Sequence, residues 1–165
     1  ATKIANELIA NAYSHLYGLH TTGLRYFTVY GPWGRPDMAM FLFTDKILRG
    51  ESIQVFNHGN MKRDFTYIED IITGTKSAID KNYKCEVFNL GNHKNEELMD
   101  VVYLIENNLG MKAEIEFLPM QPGDVQESFA DIDKSVEMLG YKPATNINMG
   151  INKFIEWYKK YHRNT

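Results

Sequence analysis

The sequence predicts an α/β fold. Apolar stripes at helical spacing alternate along the chain with short runs of β-branched and aromatic residues. Glycines stand where most of the helical stretches end. No internal repeat or low-complexity linker breaks this order.

The elements follow in turn. Ile4, Ala5, Leu8, Ile9, Ala12, Tyr13, Leu16 and Tyr17 form one stripe, so residues 3–18 read as a helix with Gly18 as its stop. Residues 21–28 are rich in Thr, Tyr and Phe and read as a strand. Gly31-Pro32-Trp33-Gly34-Arg35-Pro36-Asp37 is irregular, because two Pro and two Gly interrupt it. A helix over 38–48 closes at Gly50. Residues 53–56 and 63–68 read as short strands, and the Asn57-His58-Gly59-Asn60 between them has the residue types of a hairpin turn. Asp70 is placed to cap a helix running to about residue 79. Strand 86–90 ends at Gly91, a helix fills 95–109 before Gly110, and 113–118 reads as a strand. The irregular stretch 119–124 precedes a short helix over 133–139 and a last helix over 146–161. Lys159, Lys160 and Arg163 suit the negative end of that last helix's dipole.

Composition removes several classes of function. The 165 residues include 18 Lys and Arg and 21 Asp and Glu, a net charge of −3, which argues against a nucleic-acid partner. Apolar residues make up 44 %, enough for a packed core and too many for a disordered chain. Cys85 is the sole cysteine, so no internal disulfide framework or multi-cysteine zinc site is expected. No run of 18 apolar residues exists, so no membrane span is expected. The opening Ala1-Thr2-Lys3 has neither the charged nor the apolar region of a signal peptide; it reads as the middle of a helix and hints at a fragment. One cysteine and no targeting segment give a cytoplasmic expectation.

No His-Glu-x-x-His, paired Cys-x-x-Cys, Walker loop or Gly-x-Ser-x-Gly elbow is present. The five His residues, 15, 20, 58, 93 and 162, lack ligand spacing, so no metal is expected. Glu69/Asp70 and Glu96/Glu97 fall at predicted helix starts, where the dipole accounts for them. The informative residues lie in irregular segments. Arg35 is in the loop after a strand, the place where α/β sheets bind ligands. Arg63 heads a strand and Asp124 lies in a Pro-Gly turn. Two guanidinium groups converging with a carboxylate over one cleft suit an anionic ligand bearing hydroxyls. The alternative is surface pairing of Arg35 with Asp37 and of Arg63 with Asp64.

Two strings carry a family resemblance. They are Leu24-Arg25-Tyr26-Phe27-Thr28-Val29-Tyr30-Gly31-Pro32-Trp33-Gly34-Arg35-Pro36-Asp37-Met38-Ala39 and Asn57-His58-Gly59-Asn60-Met61-Lys62-Arg63-Asp64-Phe65-Thr66-Tyr67-Ile68-Glu69-Asp70. Met120-Gln121-Pro122-Gly123-Asp124-Val125, with Phe129-Ala130-Asp131-Ile132 after it, adds a third. Together they resemble the extended short-chain dehydrogenase/reductase family of NAD-dependent nucleotide-sugar epimerases and dehydratases, and most of all its UDP-glucuronate 4-epimerase group. The resemblance spans the whole chain but only the second half of such an enzyme.

That resemblance implies the last strands of a Rossmann-like sheet plus a small α/β substrate-binding lobe. Residues 1–50 would be the remnant of the NAD-binding domain, and 51–165 mostly the substrate lobe, with strand 86–90 returning to the sheet. It also implies a reaction: NAD takes hydride from sugar carbon 4, and the 4-keto intermediate receives it back on the opposite face. A Tyr acts as base, with a Lys four residues later that lowers its pKa and holds the nicotinamide ribose. Lys3 matches that Lys, and the Tyr would fall two places before Ala1. Thr28 and Arg35 match positions that hold the sugar carboxylate. Arg63 matches the pyrophosphate-binding arginine, Gln54, Val55 and Phe56 the segment beside the uracil, and Asp124 an acid on the uridine ribose. Gln121 stands where galactose epimerases carry Arg. The resemblance further implies a UDP-sugar substrate, a homodimer through the helix at 3–18, and an inactive chain, because the glycine-rich NAD loop is absent from it. The alternatives are a 4,6-dehydratase, a decarboxylase, a neutral-hexose epimerase, or a UDP-binding or interaction module without chemistry.

Overall fold

The computed structural model describes residues 1–162 and has the alternating α/β order that the sequence predicts. Arg163 lies outside the described residues. The helices are α1 (Thr2–Tyr17), α2 (Ala39–Arg49), α3 (Ile68–Lys81), α4 (Leu98–Leu109), α5 (Asp133–Leu139) and α6 (Ile147–His162). The strands are β1 (Thr21–Tyr26), β2 (Thr28–Tyr30), β3 (Ile53–Val55), β4 (Lys62–Arg63), β5 (Phe65–Tyr67), β6 (Cys85–Leu90), β7 (Glu96–Glu97) and β8 (Ile115–Phe117). The predicted stops at Gly18, Gly50, Gly110 and Gly140 all have positive φ.

The strands pair two by two. β1 runs parallel to β6, from Thr21 opposite Cys85 to Tyr26 opposite Leu90. β2 runs parallel to β5, and β3 to β8. β4 and β7 form a short antiparallel ladder. The predicted strand 21–28 is therefore two strands. Phe27 N–H donates to the Leu90 carbonyl at 3.2 Å, whereas Thr28 N–H donates to that of Asp64 at 3.1 Å. The chain leaves one neighbour and joins another at that peptide.

The predicted hairpin over 57–60 does not form, because β3 pairs with β8 and β4 with β7. Asn57 and His58 both take left-handed φ, near 50°, and Gly59 follows at 85°. These residue types tolerate that region, which is why they suggested a turn. Here the turn is pinned to the end of β8 by His58 N–H on the Leu118 carbonyl, 3.1 Å. Helix α4 begins three residues later than expected, since Glu96 and Glu97 are spent on β7. Asp70 does not cap α3: the N-cap is Tyr67, and the buried Asp70 carboxylate accepts from Ala144 N–H (3.1 Å) and Thr145 N–H (3.0 Å).

Two apolar clusters fill the interior. One joins Tyr30, Phe43, Ile47, Val55, Phe65 and Tyr67 to the inner faces of α4 and α6. The other joins Ile71, Phe88, Leu90, Leu139 and Tyr141 around β6. Helix α2 contributes Met40, Phe43 and Ile47 to the first cluster. Helix α1 is different. Its apolar stripe, including Ile4, Leu8, Ile9, Tyr13, Leu16 and Tyr17, is exposed, and Ser14 alone is buried. The helix is tied down by its polar side, through Ser14 Oγ on the Lys84 carbonyl (3.0 Å) and a two-bond Arg25–Glu7 pair.

Candidate functional site

A cleft of about 410 Å³ opens between β2, the start of α2, β3, β4 and the 121–124 turn. That volume is in the range of small-ligand clefts, ~300–1,000 Å³. Leu42, Phe43, Met61, Phe65 and Leu98 give it apolar walls. Thr28, Asp37, Gln54, Arg63, Gln121 and Asp124 give it polar ones, with Phe56 beside them.

Each polar group is placed by local structure. β2 and β5 pair from Thr28 opposite Phe65, which brings Thr28 beside the Arg63–Asp64 corner. Successive strand residues face opposite sides. In β3 that exposes Gln54 while Ile53 and Val55 are fully buried. Gln54 Nε2 donates to Glu116 Oε2 at 3.0 Å, across to β8. Val55 therefore does not line the cleft, and its carbonyl is taken by Leu118 N–H at 2.9 Å.

Arg63 is the most constrained group in the cleft. Its side chain is only 17 % exposed. Nη1 donates to the Lys62 and Gln126 carbonyls at 2.8 and 3.1 Å, and Nη2 to Asp124 Oδ1 at 2.8 Å. Asp124 Oδ1 also accepts from Val125 N–H at 2.8 Å, which turns the carboxylate toward Arg63. A cation held this way is a fixed charge that needs no reordering to meet an anion. Beside it, Lys62 pairs with Glu97 at 2.8 Å, and that carboxylate raises the ammonium's pKa.

Arg35 is elsewhere. It borders a small hollow with Val29, Tyr30, Gly31 and Phe41, and only its neighbour Asp37 reaches the cleft. Arg35 and Asp37 form the two-bond pair that was the surface alternative, at 3.1 and 2.5 Å. The guanidinium beside Asp37 holds its carboxyl below the usual range. The expected convergence of two guanidinium groups over one cleft is thus not seen: Arg63 lines the cleft, and Arg35 borders a separate hollow, paired with Asp37. Lys3 lies on α1, in a separate groove of about 570 Å³ with Asn6, Glu7, Ala10 and the edge of β1. Among the described residues, no cluster of His, Cys, Asp or Glu is built to hold a metal.

Asp64 is the residue that sequence reasoning misplaced. It is not a surface partner of Arg63; it is fully buried. Oδ1 accepts from Thr66 Oγ1 (3.0 Å) and Asn92 N–H (2.6 Å), and Oδ2 from His93 N–H (3.0 Å) and Ala130 N–H (3.1 Å). One carboxylate thereby fixes the loop after β6 and the 130 segment against the Arg63 corner. The usable signal was an acid within the predicted strand 63–68, directly before Phe65, where an acid needs donors to be tolerated.

Residues 1–91 match the NAD dependent epimerase/dehydratase family. The chain is 52 % identical over 158 residues to an uncharacterised protein of Methanocaldococcus jannaschii, covering 96 % of this chain and 48 % of that one. It is 46 % identical over 179 residues to UDP-glucuronate 4-epimerase 4 of Arabidopsis thaliana, covering 98 % and 41 %. The crystal structure of UDP-glucuronic acid 4-epimerase from Bacillus cereus, in complex with UDP-glucuronic acid and NAD, superposes with a TM-score of 0.91 at 33 % identity, over 97 % of this chain and 52 % of that one. The chain spans about half the length of the relatives it matches. With more than half of its residues inside the matched span, it belongs to the NAD dependent epimerase/dehydratase family.

Proposed function

We propose that this chain is the substrate-binding half of a nucleotide-sugar epimerase acting on UDP-glucuronate through a 4-keto intermediate. The observation that carries it is the Arg63–Asp124 pair, two side chains from separate segments joined at 2.8 Å in one cleft. In this proposal the fixed Arg63 cation meets the diphosphate and Asp124 accepts from the ribose hydroxyls. Gln54 and Phe56 flank the base, and Thr28, with Arg35, meets the sugar carboxylate. The relatives named UDP-glucuronate 4-epimerase, and the Bacillus cereus structure holding UDP-glucuronic acid, support that choice of sugar.

NAD would supply the hydride chemistry. Lys3 would hold its nicotinamide ribose, and the described residues contain no Gly-x-Gly-x-x-Gly turn at a helix start to receive a pyrophosphate. The proposal therefore includes no turnover by the 165-residue chain itself. It also includes self-association through the exposed stripe of α1 and a cytoplasmic location. Among the described residues, no helix is long and apolar enough to cross a membrane.

Calorimetric titration of the chain with UDP tests the cleft assignment. Saturable binding that Arg63→Ala weakens at least tenfold supports it. Wild-type chain that takes up no heat at millimolar UDP, or an Arg63→Ala variant that binds as well as wild type, refutes it.

A further inference from the structure

We propose that Asp37 is a positioning residue that sets the preference of the cleft for an acidic sugar over a neutral one, acting through Arg35. This rests on the functional proposal above and deepens it at one end of the cleft.

The local chain is built to hold this pair. Gly34 N–H donates to the Gly31 carbonyl at 3.2 Å, and Met38 N–H to the Arg35 carbonyl at 3.2 Å, so two tight turns follow one another. Pro36 occupies the second position of the second turn, where its fixed φ suits the geometry. Arg35 and Asp37 therefore stand at the first and third positions of a preformed turn, immediately before α2.

The pairing edge matters. A guanidinium has two edges able to take a carboxylate, one with Nε and one Nη, the other with both Nη atoms. Asp37 takes the first, by Nε to Oδ1 at 3.1 Å and Nη2 to Oδ2 at 2.5 Å. No other hydrogen bond of Arg35 is formed by the described side chains, so its Nη1/Nη2 end faces no protein partner. The pair is 74 % and 63 % exposed, so that end is open to a ligand. Asp37 itself lines the cleft beside Thr28, and Arg35 does not. Asp37 is thus the link that ties the free end of Arg35 to the cleft wall. It fixes the plane of the fork, and a fixed fork loses little freedom when it grips a second carboxylate. A neutral sugar offers that fork no carboxylate to grip.

The test is the ratio of dissociation constants for UDP-glucose and UDP-glucuronate, measured by calorimetry on the 165-residue chain. Asp37→Asn keeps the side-chain shape but removes one acceptor of the two. The expected result is a fall of about tenfold in the ratio, with UDP affinity unchanged and no additional fall when Asp37→Asn is added to Arg35→Ala. Two results overturn the proposal while leaving the cleft assignment standing. One is a rise in the ratio on Asp37→Asn, which would make Asp37 a competitor that the sugar must displace. The other is a fall of the same size in the Arg35→Ala background, which would make Asp37 act directly. An unmoved ratio overturns it as well. Wild-type chain that fails to bind UDP removes both this proposal and the functional one.

Discussion

Replacing Asp64 with Asn exposes how the cleft is held. The carboxylate has no solvent exposure and four donors around it, two on each oxygen. An amide can supply only one acceptor oxygen. If its NH2 replaces Oδ2, the His93 and Ala130 N–H groups both lose their partner. If it replaces Oδ1, the Thr66 hydroxyl can rotate to accept, and only the Asn92 N–H is orphaned. The second orientation is the cheaper one. Its cost is one buried unpaired donor, about 1–3 kcal/mol, plus the loss of charge assistance in the two bonds that remain, ~1 kcal/mol each. Relief of the carboxylate's desolvation offsets part of this. The net expectation is a loss of about 2–4 kcal/mol, or roughly 5–12 °C in Tm for a chain of this size. Thr66→Val removes a single donor and is expected to cost about 1 kcal/mol. Urea unfolding followed by circular dichroism measures both. Amide hydrogen exchange adds the local readout, since the N–H groups of Asn92, His93 and Ala130 should lose protection ahead of β6. A destabilisation by Asp64→Asn of less than about 0.5 kcal/mol, with those three amides still protected, would refute the role of this carboxylate as the tie between the segments.

Three further results are expected. An added Cβ at Gly150 would lie 1.9 Å from the Tyr30 hydroxyl and 2.7 Å from its ring carbon Cζ, so Gly150→Ala should destabilise by about 1–3 kcal/mol, and Tyr30→Phe should rescue it only in part. That hydroxyl is buried without a partner, so Tyr30→Phe alone should be neutral or stabilising in the same melts. Burial raises the pKa of Tyr30, Tyr141 and Tyr158, with Asp70 adding to the first two and Asp45 to the third. A folded pKa above the unfolded value of ~10 means that the native chain holds protons that the unfolded chain releases. Stability is therefore complete below pH ~10 and falls as pH rises beyond it. Absorbance titration at alkaline pH should show Tyr30, Tyr141 and Tyr158 ionising only with unfolding.

The helices were legible because their signals are local. A stripe at 3.6-residue spacing and a glycine beyond it depend on no distant residue, and α2 and α5 begin and end within a residue or two of where the pattern puts them. Strand partners were not legible, because pairing is decided across the chain. Ile53–Val55 lies near Lys62–Arg63 in sequence, yet it pairs with Ile115–Phe117. The Phe27 peptide changes neighbours with no change in residue type to mark it.

The site divides along the same line. Arg63, at the head of a strand, and Asp124, in a Pro-Gly turn, were picked out as polar residues suited to an anionic ligand, and they meet across 61 positions. What no spacing rule shows is the second layer. Asp64 and Asp70 read as a surface acid and a helix cap, but each is turned inward to collect backbone N–H groups from loops 28 to 75 positions away. A buried carboxylate without a cation survives only where several donors converge, and such convergence is a property of the fold rather than of a window of sequence. Arg35 is the opposite case. Its partner Asp37 is two residues away, and the local pairing wins because the Pro36 turn makes it at no cost in chain closure.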